Sequence, residues 1–150
     1  MFAFLISSIF IGLFVGLFNV FVLTFFVSFN YFNIYLITYY IILTSIVFSS
    51  IGAIVGFLSF TWDAQSTVFN FVVIPISLLS GTFFSIESFD DKWMFLFEYN
   101  PFYYLVMNFR KAFNENYIIY FYNEFFVILF VLILFMISLF IFNKGYRVIN

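Results

Sequence analysis

Apolar residues run along this chain in long blocks, and the polar residues between them mark where each block stops. The first covers about residues 2–29 and the second about 34–60, separated by the polar and aromatic turn Asn30-Tyr31-Phe32-Asn33, which has the character of a membrane–water interface. A third follows at about 68–84, after a short polar loop at 61–66, and a last at about 125–142. A bilayer core takes about 20 apolar residues per helix, so the pattern predicts four transmembrane helices. Residues 85–123 hold eight of the twelve charged side chains and are expected largely outside the bilayer core. Within them, however, 93–113 turns apolar again. Pro101 lacks an amide donor and disfavours helix at Asn100, so two short helices are expected, 93–99 and 102–113. Neither is long enough to span. A re-entrant or interfacial hairpin at about 93–113 fits best, and two surface helices lying in the headgroups are the alternative.

Composition sharpens this picture. Hydrophobic residues make up 66% of the chain and charged residues 8%, and the first charge is Asp63. A soluble domain of this length could not cover so much apolar surface with so few charges. The expected fold class is an all-α membrane protein, a polytopic helical bundle. The first block follows Met1 with no basic segment and is too long for a cleaved signal, so it reads as a retained span. With a net charge of −2 and no basic run, nucleic acid is not an expected partner. Cysteine and histidine are both absent, which removes disulfides, thiol chemistry, the usual zinc ligands and any histidine-based triad. No metal or cofactor is expected. The pattern G-x-x-x-x-G-K-[ST] is also missing, so ATP is not hydrolysed by that route. With no activated nucleophile or carboxylate pair in a cleft, an enzyme is a distant third reading.

The polar and helix-breaking residues inside the blocks are the candidate functional positions. Pro75 sits in the middle of the third block, where it should kink the helix and free the carbonyl of Phe71. Ser77 and Ser80 can satisfy such groups or line a path, and Gly81 reads as a helix stop. A break of this kind suits a transporter, because irregular backbone at membrane depth is tolerated where protein or a water-filled cavity covers it. A tolerated structural kink is the plainer alternative. Glu98 and Arg110 lie in the apolar hairpin and can pair across its two helices or snorkel separately to the interface. Asp63 and Glu124 flank spans and reach water, so neither is a strong proton-relay candidate. Gly12 with Gly16, and Gly52 with Gly56, each form a G-x-x-x-G suited to close helix contact.

Several of these residues occur together in a recognisable order. Asn70 to Pro75, Leu79 to Ile86, Trp93, Asn100-Pro101-Phe102-Tyr103-Tyr104 and Phe109-Arg110 closely resemble the C-terminal half of type-2 ATP-binding-cassette permeases. The tail Lys144-Gly145-Tyr146-Arg147 is similar to that family's cytoplasmic ending. The likeness covers about residues 52–147, and residues 1–51 match only as generic spans. It implies a membrane subunit of exporters for polysaccharides, lipid-linked glycans or drugs, with six spans and a re-entrant pair of short helices before the last. It further implies a permease dimer driven by a separate ATPase subunit. The chain departs from the pattern in two ways. An amphipathic helix, two spans and the loop that contacts the ATPase are missing, so residues 1–150 read as a single permease domain with the last four of six spans, incomplete at the N-terminus. A proline usual just before the position of Trp93 is replaced by Asp90-Asp91-Lys92.

The expected function is therefore a permease subunit of an ATP-driven exporter in a bacterial inner membrane, with both termini cytoplasmic. Four spans place the termini on one side, and Lys144 and Arg147 follow the last span. Pro75, Ser77, Ser80 and Gly81 would shape the outer pathway, and Trp93, Glu98, Asn100, Pro101 and Arg110 the hairpin gate. Expected partners are the separate ATPase, lipid, and a second permease copy or a protein carrying the missing spans. The alternative is a non-transporting fragment or a membrane assembly or binding protein.

Overall fold

A computed structural model describes residues 2–28, 31–82, 92, 94–114 and 121–144. The expectations for 83–91, Trp93 and the tail from Gly145 onward fall outside the described residues. Regular structure among the described residues is entirely helical: α1 (Phe2–Leu23), α2 (Ile34–Leu58), α3 (Trp62–Val68), α4 (Ile74–Ser77), α5 (Met94–Glu98), α6 (Pro101–Lys111) and α7 (Phe121–Asn143). A wider, π-type turn at Phe69–Val73 joins α3 to α4, and a second at Leu78–Thr82 follows α4, so that the stretch forms one interrupted helix. Among the described residues, four helical stretches are long and apolar enough to cross a membrane: Ala3–Leu23, Ile34–Leu58, Trp62–Thr82 and Phe121–Asn143. The chain is an all-α polytopic membrane protein.

Local chemistry sets the helix ends. Asn33 caps α2, its side chain accepting from the amides of Tyr35 and Leu36 at 3.1 and 3.2 Å. The polar loop expected at 61–66 is instead the first turn of α3. Thr61 accepts from the amide of Ala64 at 3.2 Å, and Asp63 lies in the first turn, where a negative charge meets the positive end of the helix dipole. The third span thus begins six residues earlier than hydropathy alone indicates. The last span also begins earlier, at Phe121, because Glu124 is tolerated in the first turn of α7 for the same reason. After Leu23 the backbone tightens into three-residue turns, Phe25 to Val22 and Phe26 to Leu23, so α1 stops short of residue 29.

Helix α2 is the centre of the bundle. On one side it packs against α1, and on the other against α6 and α7 around Tyr40, Val47, Phe102, Leu105, Val127 and Val131. A second cluster joins Ile37 and Ile41 to Ala112. The outer faces of α1 and α7 leave Phe10, Phe14, Phe125 and Met136 exposed, the surface expected of a helix facing lipid. Helix α6 lies lengthwise along α2. The amide of Asn33 donates to the carbonyl of Ala112 at 2.9 Å at one end, and the Phe102 and Phe48 rings sit 5.7 Å apart at the other.

Candidate functional site

The third span is irregular over its second half. Pro75 falls at the start of α4, directly after one π-type turn and just before another. A proline removes one amide from the helical ladder, and widening the turns around it absorbs the loss without ending the helix. The amide of Ile74 accordingly reaches back five residues to Phe69. Gly81 then adopts φ 77° and ψ 14°, the left-handed conformation that a side chain would resist, and it kinks the second π-type segment where a helix stop was expected. Ser80 is buried and donates to the carbonyl of Ser77 at 2.5 Å, while its oxygen lies 2.7 Å from that of Thr82.

The hairpin is tied to this broken stretch at two points. Asn100 is buried and extended (φ −93°, ψ 109°), and its side-chain oxygen caps α6 by accepting from the amide of Phe102 at 3.0 Å. Its Nδ2 donates to the carbonyl of Ile76 at 3.0 Å, a group inside the distorted ladder. The expected break falls at Tyr99 and Asn100, and Pro101 is the first residue of α6, since its fixed φ and missing amide cost nothing at that position. At the other end of α6, Arg110 Nη2 donates to the carbonyl of Thr82 at 2.9 Å. Of the two alternatives for Glu98 and Arg110, the pair does not form: both side chains are exposed, and the carbonyl of Glu98 accepts from the Tyr104 hydroxyl at 3.0 Å. Burial, and then the negative Glu98, raise the pKa of Tyr103 and of Tyr104. Burial lowers that of Lys111, with Glu124 opposing the shift.

Glu124 proves more central than its place in the sequence suggests. Its carboxylate accepts from the Tyr40 hydroxyl, from Asn108 Nδ2 at 3.0 Å and from the Tyr39 hydroxyl at 3.4 Å. Tyr40 is completely buried and Asn108 nearly so. One carboxylate thus links α2, α6 and α7. The signal available in sequence was the coincidence of Asn108 on an apolar helix and Glu124 at the start of a span, but partners 84 and 16 residues away cannot be paired by spacing alone.

Between α1, α2, α6 and the broken span lies a cleft of about 910 Å³, within the range of small-molecule sites. It brings together the predicted residues Ser77, Ser80 and Arg110 with Gly12 and Gly16. Asn100 and Pro101 instead line a smaller pocket of about 330 Å³ against Ile76 and Leu79. Pro75 and Gly81 act through backbone shape, Glu98 stands apart, and Trp93 is outside the described residues. The two glycine pairs differ. A Cβ at Gly12 would collide with the Ser45 side chain, and one at Gly16 would come within 2.8 Å of Ile41, so this pair sets the approach of α1 to α2. A Cβ at Gly52 or Gly56 would meet nothing within 4 Å, so neither sets a close helix approach within the described bundle. Among the described residues no cluster of acidic groups could hold a metal ion.

The family model of the ABC-2 type transporter matches residues 1–114. The inner membrane transport permease YadH of Escherichia coli K12 is 33% identical over 102 residues, which cover 68% of this chain and 40% of that protein. The YadH proteins of Escherichia coli O157:H7 and Shigella flexneri match to the same extent. The match thus spans about two fifths of the length of these relatives. No solved structure matches the chain. From a match over three quarters of its length, carried by spans and hairpin in one continuous stretch, the chain belongs to the ABC-2 type transporter family.

Proposed function

We propose that this chain is the membrane-spanning permease subunit of an ATP-driven exporter, powered by a separate ATPase. The observation that carries the reading is the broken third span. Its π-type turns, Pro75 and left-handed Gly81 open the backbone beside a cleft, and Asn100 and Arg110 tie a short helical hairpin across that opening. An inert anchor has no use for such a construction, whereas a permeant needs a polar-lined path that can open. The hairpin is re-entrant on this reading. It dips to the level of Ile76, six residues inside the end of the span, about 9 Å at the helical rise per residue. It forms the outer gate, and Ser77 and Ser80 line the path behind it. The relatives are named as inner membrane transport permeases, which favours the bacterial inner membrane and a transport role.

On this reading both termini are cytoplasmic, and the subunit works as a dimer or with a protein that carries further spans. Gly52 and Gly56 are candidates for contact with a helix outside the chain. The cargo belongs to the polysaccharide, lipid-linked glycan or drug class. The second reading is a non-transporting fragment or an assembly protein, and the observation favouring it is that the match spans only two fifths of its relatives' length. Purification of the tagged chain from its native membrane separates the two. The transport reading expects a bound ATPase subunit and two permease copies. Recovery of the chain with membrane partners but no ATPase would sink it.

A further inference from the structure

The cleft beside the broken span has an unusual polarity. Among the eight hydroxyl side chains that line it, five have protons committed to neighbours along the cleft. Ser8 donates to the carbonyl of Phe4 at 2.9 Å, Thr44 to Tyr40 at 2.6 Å, Ser45 to Ile41 at 2.7 Å and Ser80 to Ser77 at 2.5 Å. Ser49 donates to the Ser8 oxygen at 3.1 Å. A hydroxyl has one donor and two acceptor sites, so what these side chains can offer a ligand is lone pairs. The α1–α2 wall, with Ser8, Thr44, Ser45 and Ser49, therefore accepts hydrogen bonds rather than donating them. Arg110 is the one charged residue lining the cleft among the described residues, and it offers the opposite. Its guanidinium fork has five N–H donors, more than the single carbonyl of Thr82 can use.

These features are ordered along the cleft. Gly16 meets Ile41 at the end where α6 carries Phe109 and Arg110. Gly12 meets Ser45 in the middle. The Ser8–Ser49 pair lies at the far end, near where Phe48 meets Phe102. Phe4 to Gly16 covers about 18 Å of α1 at the helical rise per residue. The rest of the lining is mostly aliphatic or aromatic. The site is thus a long apolar slot with a cation at one end and hydrogen-bond acceptors along one wall and at the other end.

We propose that this cleft binds a single-chain amphiphilic acid, with its carboxylate or phosphate on Arg110, its chain along α1 and α2, and a hydroxyl on the chain donating to the Ser8–Ser49 pair. The proposal rests on reading this cleft as the cargo's place in a permease. An acidic head matches the guanidinium in charge and in bidentate geometry. The apolar chain fills the slot, and a terminal hydroxyl supplies the donor that the far wall lacks. A cationic amphiphile would meet Arg110 with like charge, and a neutral one would leave it without its acid partner.

The test uses the full chain in phosphatidylcholine nanodiscs without nucleotide, and a twelve-carbon carboxylic acid bearing a photoreactive diazirine. Label is expected on peptides of α1 and α2. Dodecanoate and dodecyl phosphate should both displace the probe, and their relative strength tells which head group is preferred. 12-Hydroxydodecanoate should compete more strongly than dodecanoate, and dodecanol and dodecyltrimethylammonium only weakly. Arg110→Gln should weaken labelling about tenfold, with Arg110→Lys retaining most of it, as loss and retention of a charge-assisted contact require. The proposal is overturned if dodecanol competes as well as dodecanoate, or if folded Arg110→Gln labels like the parent. It is also overturned if label spreads over lipid-facing peptides at random. The competitor series needs no mutant, so a variant that misfolds leaves the test intact. Labelling reads binding alone, so its failure refutes this proposal, whereas failure of export in a separate transport assay refutes the transport reading.

Discussion

Replacing Glu124 tests whether one carboxylate holds the hairpin to the spans. In Glu124→Leu the fully buried Tyr40 hydroxyl and the nearly buried Asn108 amide both lose their acceptor. Leaving a buried donor unsatisfied costs about 1–3 kcal/mol, so two of them predict a loss of about 2–6 kcal/mol. Glu124→Gln keeps an oxygen within reach of both donors and gives up only the charge assistance, for a loss of about 1 kcal/mol. Asn108→Leu removes one donor and fills its place with an apolar group, so it should be mild alone. Combined with Glu124→Leu it should recover part of the loss, because one of the orphaned donors is gone. The coupling in this double-mutant cycle is expected at about 1–2 kcal/mol. Reversible denaturant unfolding in detergent micelles gives the four stabilities. The chain has no native cysteine, so a disulfide engineered between positions 33 and 112 reports separately whether α6 stays beside α2. Equal stability of Glu124→Leu and Glu124→Gln, with an additive cycle, would refute the role given to this carboxylate.

Three further outcomes follow from the geometry. Gly12→Ala and Gly16→Ala should destabilise the chain by about 1–3 kcal/mol through overpacking against α2, whereas Gly52→Ala, with open space around it, should gain up to about 1 kcal/mol of helix propensity; unfolding of the three variants checks this. Tyr103 and Tyr104 have pKa values raised above 10.0, so their contribution to stability is fully present below pH 10 and lost as pH rises through their higher folded values. A titration of tyrosinate absorbance should show a late-ionising component that Tyr103→Phe with Tyr104→Phe removes. Pro75→Ala restores an amide to the third span and should leave abundance unchanged or higher while lowering export per molecule; unchanged export would mean that the kink is merely tolerated.

The spans were legible because membrane helices announce themselves by length and hydropathy, and those signals are local. The hairpin was legible through Asn100-Pro101, although its meaning was not. Two short helices separated by a break were expected and are present, and what the sequence did not show is that Asn100 caps the second helix and also reaches the carbonyl of Ile76. The start of α3 was missed because Thr61, Asp63 and Gln65 look like loop to a hydropathy scale, although Thr61 followed by an acidic first turn is a helix-start signal. The Glu124 node could not be read at all. Its donors come from α2 and α6, and nothing in the order of residues says which helices are neighbours. For the same reason the sequence could not rank the two glycine pairs. Only packing distinguishes Gly12 and Gly16, pressed against Ser45 and Ile41, from Gly52 and Gly56, whose missing side chains face open space.

The central claim is that this chain moves cargo only as part of an ATP-driven complex. ATP-dependent transport in proteoliposomes tests it most directly, with the complex purified from the native membrane and compared with the chain alone. The account predicts cargo movement that requires both this chain and a separate ATPase, and that fails in Pro75→Ala although the complex still assembles. ATP-driven transport by the chain alone, or full transport by a complex from which the chain has been removed, would contradict it.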